Sequence, residues 1–142
     1  MGLTPLEGVP MATRAGSVDP GALLYLLRGG EPLADLDHAL EHEAGLTGLA
    51  GTGDVRTLLA DPSAEARLAL DVYAYRVAQA VAAMAVALGG IDALVFTAGV
   101  GEHAAPVRDA ICRRLSHLGE VAVHVVHARE DVVVARAVRA LA

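Results

Sequence analysis

Apolar and polar positions divide the chain into three stretches of different character. Residues 1–18 carry Gly2, Pro5, Gly8, Pro10 and Gly16 and predict a loop with room for a short strand. Asp19-Pro20 then sets an N-cap residue before a helix-opening proline, predicting a helix to about Arg28 that Gly29-Gly30 ends. Pro32 opens a second helix, with Gly45 where a C-cap glycine belongs, and residues 46–53 are glycine-rich and predict a loop. Asp61-Pro62 opens the longest element. Leu68, Val72, Tyr75, Val77, Val81, Met84 and Leu88 recur at helical spacing up to Gly89-Gly90. Such a helix spans roughly 40 Å at 1.5 Å per residue.

The last third changes period. Residues 93–97 form a short continuous apolar run, the pattern of a strand buried on both faces. Gly99-Val100-Gly101 follows, then a helix over about 105–118 stopped by Gly119, and a second strand over 121–126. Glu130-Asp131 puts acids in the first turn of a final helix, with Arg136 and Arg139 toward its end, as the helix dipole favours. Strands joined through a helix are expected to lie parallel with a right-handed crossover. Two parallel strands leave unpaired edges. Either the N-terminal loop holds another strand, or the rest of the sheet lies in sequence outside this chain.

Composition narrows the classes. The 142 residues fit one domain, and a 54% hydrophobic content excludes disorder. Mean hydropathy is +0.46, yet the most apolar run, residues 80–91, is about twelve residues against the ~20 a bilayer span requires. No basic-then-apolar leader opens the chain, so no membrane association is expected. A net charge of −6 argues against a nucleic-acid partner, whose phosphates call for a basic stripe. The lone Cys112 excludes an intramolecular disulfide and suits a reducing cytoplasm. Aromatic residues make up only 3%, so an alanine-rich core packs closely but gains little per residue.

Several motifs carry candidate chemistry. Gly99-Val100-Gly101-Glu102 follows a strand and precedes a helix, where free backbone N–H groups favour phosphate or a polar nucleotide edge. Ala104 stands where a third fingerprint glycine would be, and a tight strand-to-helix turn accounts for the same residues. Arg14, in the small-residue loop Thr13-Arg14-Ala15-Gly16, is able to clamp phosphate or carboxylate bidentately or to serve as a surface residue. Asp54-Val55-Arg56 reads as a helix N-cap or a ligand contact. Glu130-Asp131 reads as helix-terminal charge or an oxygen site for Mg2+. His38-Ala39-Leu40-Glu41-His42 matches the zinc pattern H-x-x-E-H, which an acidic amphipathic helix also produces by chance.

Taken in chain order, these segments are more specific than any one alone. Gly2-Leu3-Thr4-Pro5-Leu6-Glu7-Gly8, Ala12-Thr13-Arg14-Ala15-Gly16 and Asp19-Pro20-Gly21 resemble the start of the C-terminal part of the acetate kinase family. So do Gly45-Leu46-Thr47-Gly48-Leu49 leading to Asp54-Val55-Arg56, and Ala69-Leu70-Asp71-Val72-Tyr73-Ala74-Tyr75-Arg76. Phe96-Thr97-Ala98-Gly99-Val100-Gly101-Glu102 resembles the family's adenosine motif, and Glu130-Asp131 with Ala135-Arg136 its terminal metal-site segment. The resemblance runs from Gly2 to about Arg139.

The resemblance implies an α/β fold: part of the ribonuclease-H-like C-terminal lobe of the acetate and sugar kinase, heat-shock and actin superfamily, helix-rich with a short parallel β-α-β-α unit. It implies reversible transfer of the γ-phosphoryl of ATP to acetate, giving acetyl phosphate and ADP, with Mg2+ as cofactor. By position, Arg14 matches the transition-state arginine, Pro5 the acetate-methyl pocket, and Glu130 the Mg2+-site glutamate. Asp54, Val55 and Arg56 match one nucleotide-contacting segment, and Gly99, Val100, Gly101, Glu102 and His103 the other. It also implies a cytoplasmic homodimer paired through the C-terminal lobe. His103 stands where the family usually has Asn, Ser17 where it usually has Asp, and a loop and strand after Gly119 are absent. The family's N-terminal lobe has no counterpart in these residues, so the chain alone is expected to lack kinase turnover without that lobe or a chain supplying it. Propionate or butyrate kinase is the near alternative. A non-catalytic nucleotide-binding or dimerisation module and a Rossmann-type dehydrogenase fragment are the distant ones.

Overall fold

The structure, a computed structural model, describes residues 2–141. Residues 2–19 form a loop, and the short strand for which the sequence left room is not there. Helix α1 (Pro20–Arg28) starts as expected: the Asp19 carboxylate accepts from the Gly21 N–H at 2.8 Å, and proline occupies the first turn. Helix α2 (Leu33–His38) runs directly into a π-helical turn over Ala39–Glu43. Gly45 does not close that helix. It opens α3 (Gly45–Ala50), so the glycine-rich stretch expected as a loop is mostly helical, and Gly51 in the left-handed region provides the cap instead.

Asp54 caps α4 (Val55–Ala60), and Ser63 rather than Asp61 caps α5 (Ala64–Leu88), its hydroxyl accepting from the Ala66 N–H at 3.1 Å. Gly89, in the left-handed region, ends α5 after 25 residues, roughly 37 Å of helix at 1.5 Å per residue. The buried face of α5 differs from the one its large apolar residues predicted. Leu68, Tyr75, Met84 and Leu88 are all at least half exposed, and the buried positions are Ala66, Ala69, Ala74, Ala78 and Ala85. Small side chains let neighbouring helices approach closely, which large ones on the same stripe would prevent. Helices α3 and α4 pack on α5, and so does α7 (Ala105–Arg114). Leu46, Val55, Leu58, Val107, Ile111 and Leu115 complete the core around the alanines. An ion pair from Arg114 to Asp71 fastens α7 to α5 at the surface.

Strands β1 (Ala93–Phe96) and β2 (Ala122–Val125) pair in parallel, with Ala93 opposite Ala122 and Phe96 opposite Val125. Between them run α6 (Ala98–His103), α7 and a 3-10 turn (Ser116–Leu118) that Gly119 ends. The glycines after β1 are therefore inside a short helix rather than in a loop ahead of one. The expected burial of β1 on both faces is not found. Phe96 is buried in the core, whereas Val95, Val123 and Val125 of the sheet are about half exposed. Among the described residues the two-stranded sheet is largely uncovered: all four residues of β2 are exposed, including Val123 and Val125, which share a face with Leu94 and Phe96 by register, while Val95 lies on the opposite face. Helix α8 (Glu130–Leu141) follows β2 and buries none of its residues. No helix among the described residues is long and apolar enough to cross a membrane.

Candidate functional site

The carboxyl ends of parallel strands are where open α/β sheets bind ligands, because the chain turns there from strand to helix and exposes its N–H groups. Here that end of the sheet carries α6 above β1 and the start of α8 above β2. A cavity of about 450 Å³ opens beside α6, lined by Gly53, Asp54, Val55 and Arg56 on one wall and Gly99, Val100, His103 and Ala104 on the other. Two segments more than forty residues apart thus meet across one opening. Asp54 is held by its capping role: Thr57 Oγ1 donates to it at 2.8 Å and the Arg56 N–H at 3.2 Å, which keep its carboxyl below the ordinary aspartate range. Arg56 is almost fully exposed, only loosely beside Asp54 at 3.7 Å, so its guanidinium is free to meet a ligand. Val55 turns its side chain into the core while its backbone stays on the cavity wall.

Gly101 and Glu102 belong to the same motif but face elsewhere. Gly101 lies under Phe96, leaving little room for a side chain. Glu102 points to a second cavity, of about 340 Å³, that shares Gly99 and His103 with the first and continues to His127, Ala128, Glu130 and Asp131. Its side chain is only 9% exposed and joins both strand ends: it accepts from the Ala98 N–H and the Ala128 N–H, each at 2.8 Å, and lies 2.6 Å from His127 Nδ1. Chiefly the Ala128 N–H and then His127 hold its carboxyl down to about 2, and Glu102 in turn raises the His127 imidazole. Ala98 sits at φ +59, a strained conformation for a residue with a Cβ, and the bond from its N–H to Glu102 supports it. At the other end of α6, Arg108 Nη1 donates to the Gly101 and Glu102 carbonyls at 2.9 Å each. Neither Glu102 as a staple nor Arg108 as a carbonyl cap is signalled by spacing in the sequence.

The acids at the start of α8 separate into two kinds. Asp131 is paired with Arg129 at 3.1 Å, which lowers its carboxyl, whereas Glu130 is exposed on the second cavity without an intramolecular partner among the described residues. A hard divalent cation on a nucleotide takes one or two carboxylates and completes its shell with phosphate oxygens and water. Glu130 fits that need; a site built from protein ligands alone does not, since no group of three or more potential ligands occurs among the described residues. The zinc pattern at 38–42 also fails. The His38 and His42 rings lie 5.1 Å apart, tilted by 48°, and His38 approaches Glu43, but Glu41 turns away from both toward Arg14.

Arg14 is half-buried and lines neither cavity. Its loop nevertheless abuts the first one: a Cβ on Gly53, a wall residue, would lie 2.6 Å from Ala12 Cβ, so only glycine lets the two segments touch. Pro5 is half-buried in the N-terminal loop and is brought to neither cavity; its neighbours Thr4 and Leu6 line a separate hollow with Ser17 and Leu23. Ser17 fixes that loop by exchanging bonds with Gly8.

A family model for the acetokinase family matches residues 1–137. The chain belongs to the acetokinase family. It is 52% identical to the acetate kinase of Gloeobacter violaceus over 124 residues, which is 84% of this chain but 31% of that protein. The acetate kinase of Entamoeba histolytica superposes with a TM-score of 0.89 at 26% identity, covering 96% of this chain and 43% of that one. A propionate kinase from Francisella tularensis superposes at 0.85 with 32% identity over 92% of this chain and 40% of its own. The chain thus spans about a third of the length of the curated relatives it matches, and its fold is the actin-like ATPase fold of acetokinase structures.

Proposed function

We propose that the chain carries the nucleotide-binding portion of the C-terminal lobe of an acetate kinase, an enzyme that reversibly moves the γ-phosphoryl of ATP to acetate. Support comes above all from the cavity on which residues 54–56 and Gly99, Val100 and His103 converge. Its glycine wall admits a flat adenosine, and Arg56 is free to meet a polar edge or phosphate. Glu130 is the residue to hold Mg2+, which when bound neutralises phosphate charge. In phosphoryl transfer the protein contributes positioning and charge stabilisation rather than covalent chemistry. Arg14 suits that task, because its planar fork of donors matches equatorial phosphoryl oxygens. Pro5 is assigned to the apolar pocket for the acetate methyl group.

One arginine and a nucleotide shelf do not align both reactants, so turnover is proposed to require the remaining lobe of the enzyme, in the same polypeptide or another. That lobe also provides cover for the exposed valines of the sheet. The working enzyme is proposed to be a cytoplasmic homodimer. Calorimetric titration of the chain with ADP and Mg2+ tests the nucleotide site: binding is expected, with loss in Arg56→Ala and in Gly99→Val. Preference for NAD over ADP overturns it. Acetyl phosphate, trapped as the hydroxamate, is expected only when the remaining lobe is supplied, and robust turnover by the chain alone refutes that requirement. The propionate kinase superposition favours propionate as the second substrate to assay, and rates on the two acids with the complete enzyme decide between them.

A further inference from the structure

We infer that Glu41 is a positioning residue for Arg14, and that the π-helical turn exists to present it; this rests on the anion-binding role proposed above for Arg14. Arg14 Nε donates to Glu41 Oε2 at 2.8 Å, with the Glu41 side chain 23% exposed. A guanidinium has five N–H donors in a fixed plane. Glu41 occupies the one on Nε, and Nη1 lies 3.8 Å from Met11 Sδ, a weak contact. Nη2 has no partner among the described residues. The carboxylate therefore fixes the plane of the guanidinium while leaving its terminal nitrogens for an anion.

The backbone around this pair is committed to the same end. In a continuous α-helix the Ala44 N–H would donate to the Leu40 carbonyl. Here it donates to the Thr13 carbonyl at 2.9 Å, and the Leu40 carbonyl accepts from the Ala15 N–H at 3.1 Å. The Glu41 carbonyl accepts from Thr13 Oγ1 at 2.9 Å. Leu46 and Thr47 donate back to Met11 and Ala12 at 3.0 and 2.9 Å. The turn thus takes the Arg14 loop as its hydrogen-bond partner on both sides of the arginine, a use consistent with the frequency of π turns at functional sites. Gly45 makes the docking possible: at φ +59, a Cβ there would lie 2.2 Å from the Met11 carbonyl oxygen and 2.7 Å from that of Arg14. So much backbone commitment to aim one half-buried cation is a cost without a return unless its direction matters.

The test is NMR on the 142-residue chain, following the Arg14 side-chain N–H signals while titrating inorganic phosphate. In the unsubstituted chain the Nε–H signal is expected to be protected from exchange and the Nη signals to shift with phosphate. Glu41→Ala is expected to lose the protection and to weaken phosphate at Arg14 by about tenfold, since misaligned donors forfeit much of their gain. Glu41→Gln, which keeps an acceptor of the same reach, is expected to retain most of the affinity. Two results overturn the inference with the functional reading intact: equal phosphate affinity in all three proteins, or tighter binding in both variants, which would make Glu41 a competing anion. Should Glu41→Ala fail to fold, Glu41→Asp takes its place, because it keeps the charge and shortens the reach: weaker phosphate binding is expected, and affinity equal to that of the unsubstituted chain overturns the inference. Absence of any phosphate response at Arg14 in the unsubstituted chain removes the functional reading itself, and the inference with it.

Discussion

The alanine stripe of α5 and the valines of the sheet are both apolar, and they are held in opposite ways. On α5 five alanines are buried under α3, α4 and α7, and the closing force is contact among groups too small to waste space. On the sheet the larger side chains of Val95, Val123 and Val125 stand half in solvent, and the two strand ends are tied by the Glu102 carboxylate instead. Apolar size is therefore a poor guide to burial in this molecule. Its interior is organised around the smallest side chains, and its site end around one charge.

The largest expected effect tests the packed side. Leu58 is 1% exposed beneath α5, and Leu58→Ala should cost about 2–5 kcal/mol, read from chemical denaturation. A smaller loss, about 1–3 kcal/mol, is expected for Ala74→Leu, because the added carbons have no void to fill. If that variant is neutral, the interface on α5 is looser than its burial implies.

Next comes acid sensitivity at the other region. The Glu102 carboxyl is depressed to about 2, below its value in the unfolded chain. Its contribution is complete above the ordinary glutamate range and is lost as pH falls from there toward 2. Exchange of the Ala98 and Ala128 amides should accelerate over that window, and Glu102→Gln should abolish the pH dependence while leaving exchange in α5 unchanged. The raised His127 works in the reverse sense: its share is present at low pH and lost as pH rises through its elevated value. The smallest effect is expected for Val123→Thr, within about 0.5 kcal/mol, since the site is already half solvated. A loss above 2 kcal/mol there would mean that Val123 is covered in solution.

The same contrast explains what the sequence discloses. Asp19-Pro20 and the two strands are legible, because caps and periodicity are local signals. The stripe on α5 is not, as large apolar residues sit at helical spacing on the exposed side and alanine is common on every face. Alanines recurring three, four or five residues apart between 66 and 78 were the available hint. Gly45 reads as a helix end because a left-handed glycine usually is one; here it opens a helix so that two backbones can touch. Glu41 is hidden for a different reason: its partner is 27 residues away, and local spacing offered it two histidines instead. Glu102 falls within the adenosine motif, yet its bonds to Ala98, Ala128 and His127 depend on strand register, which no stretch of sequence displays.

The two-stranded sheet has a consequence for handling the protein. Among the described residues each strand spends one edge on the other, and the second edge of each is an open row of backbone donors and acceptors. Native sheets guard such edges with lysine, proline or a bulge. The sequences Ala-Leu-Val-Phe and Ala-Val-His-Val hold none of these guards, and the whole chain contains no lysine. Such edges are templates for a further strand, so loss of this chain from solution is expected to rise with its concentration, by strands adding to strands.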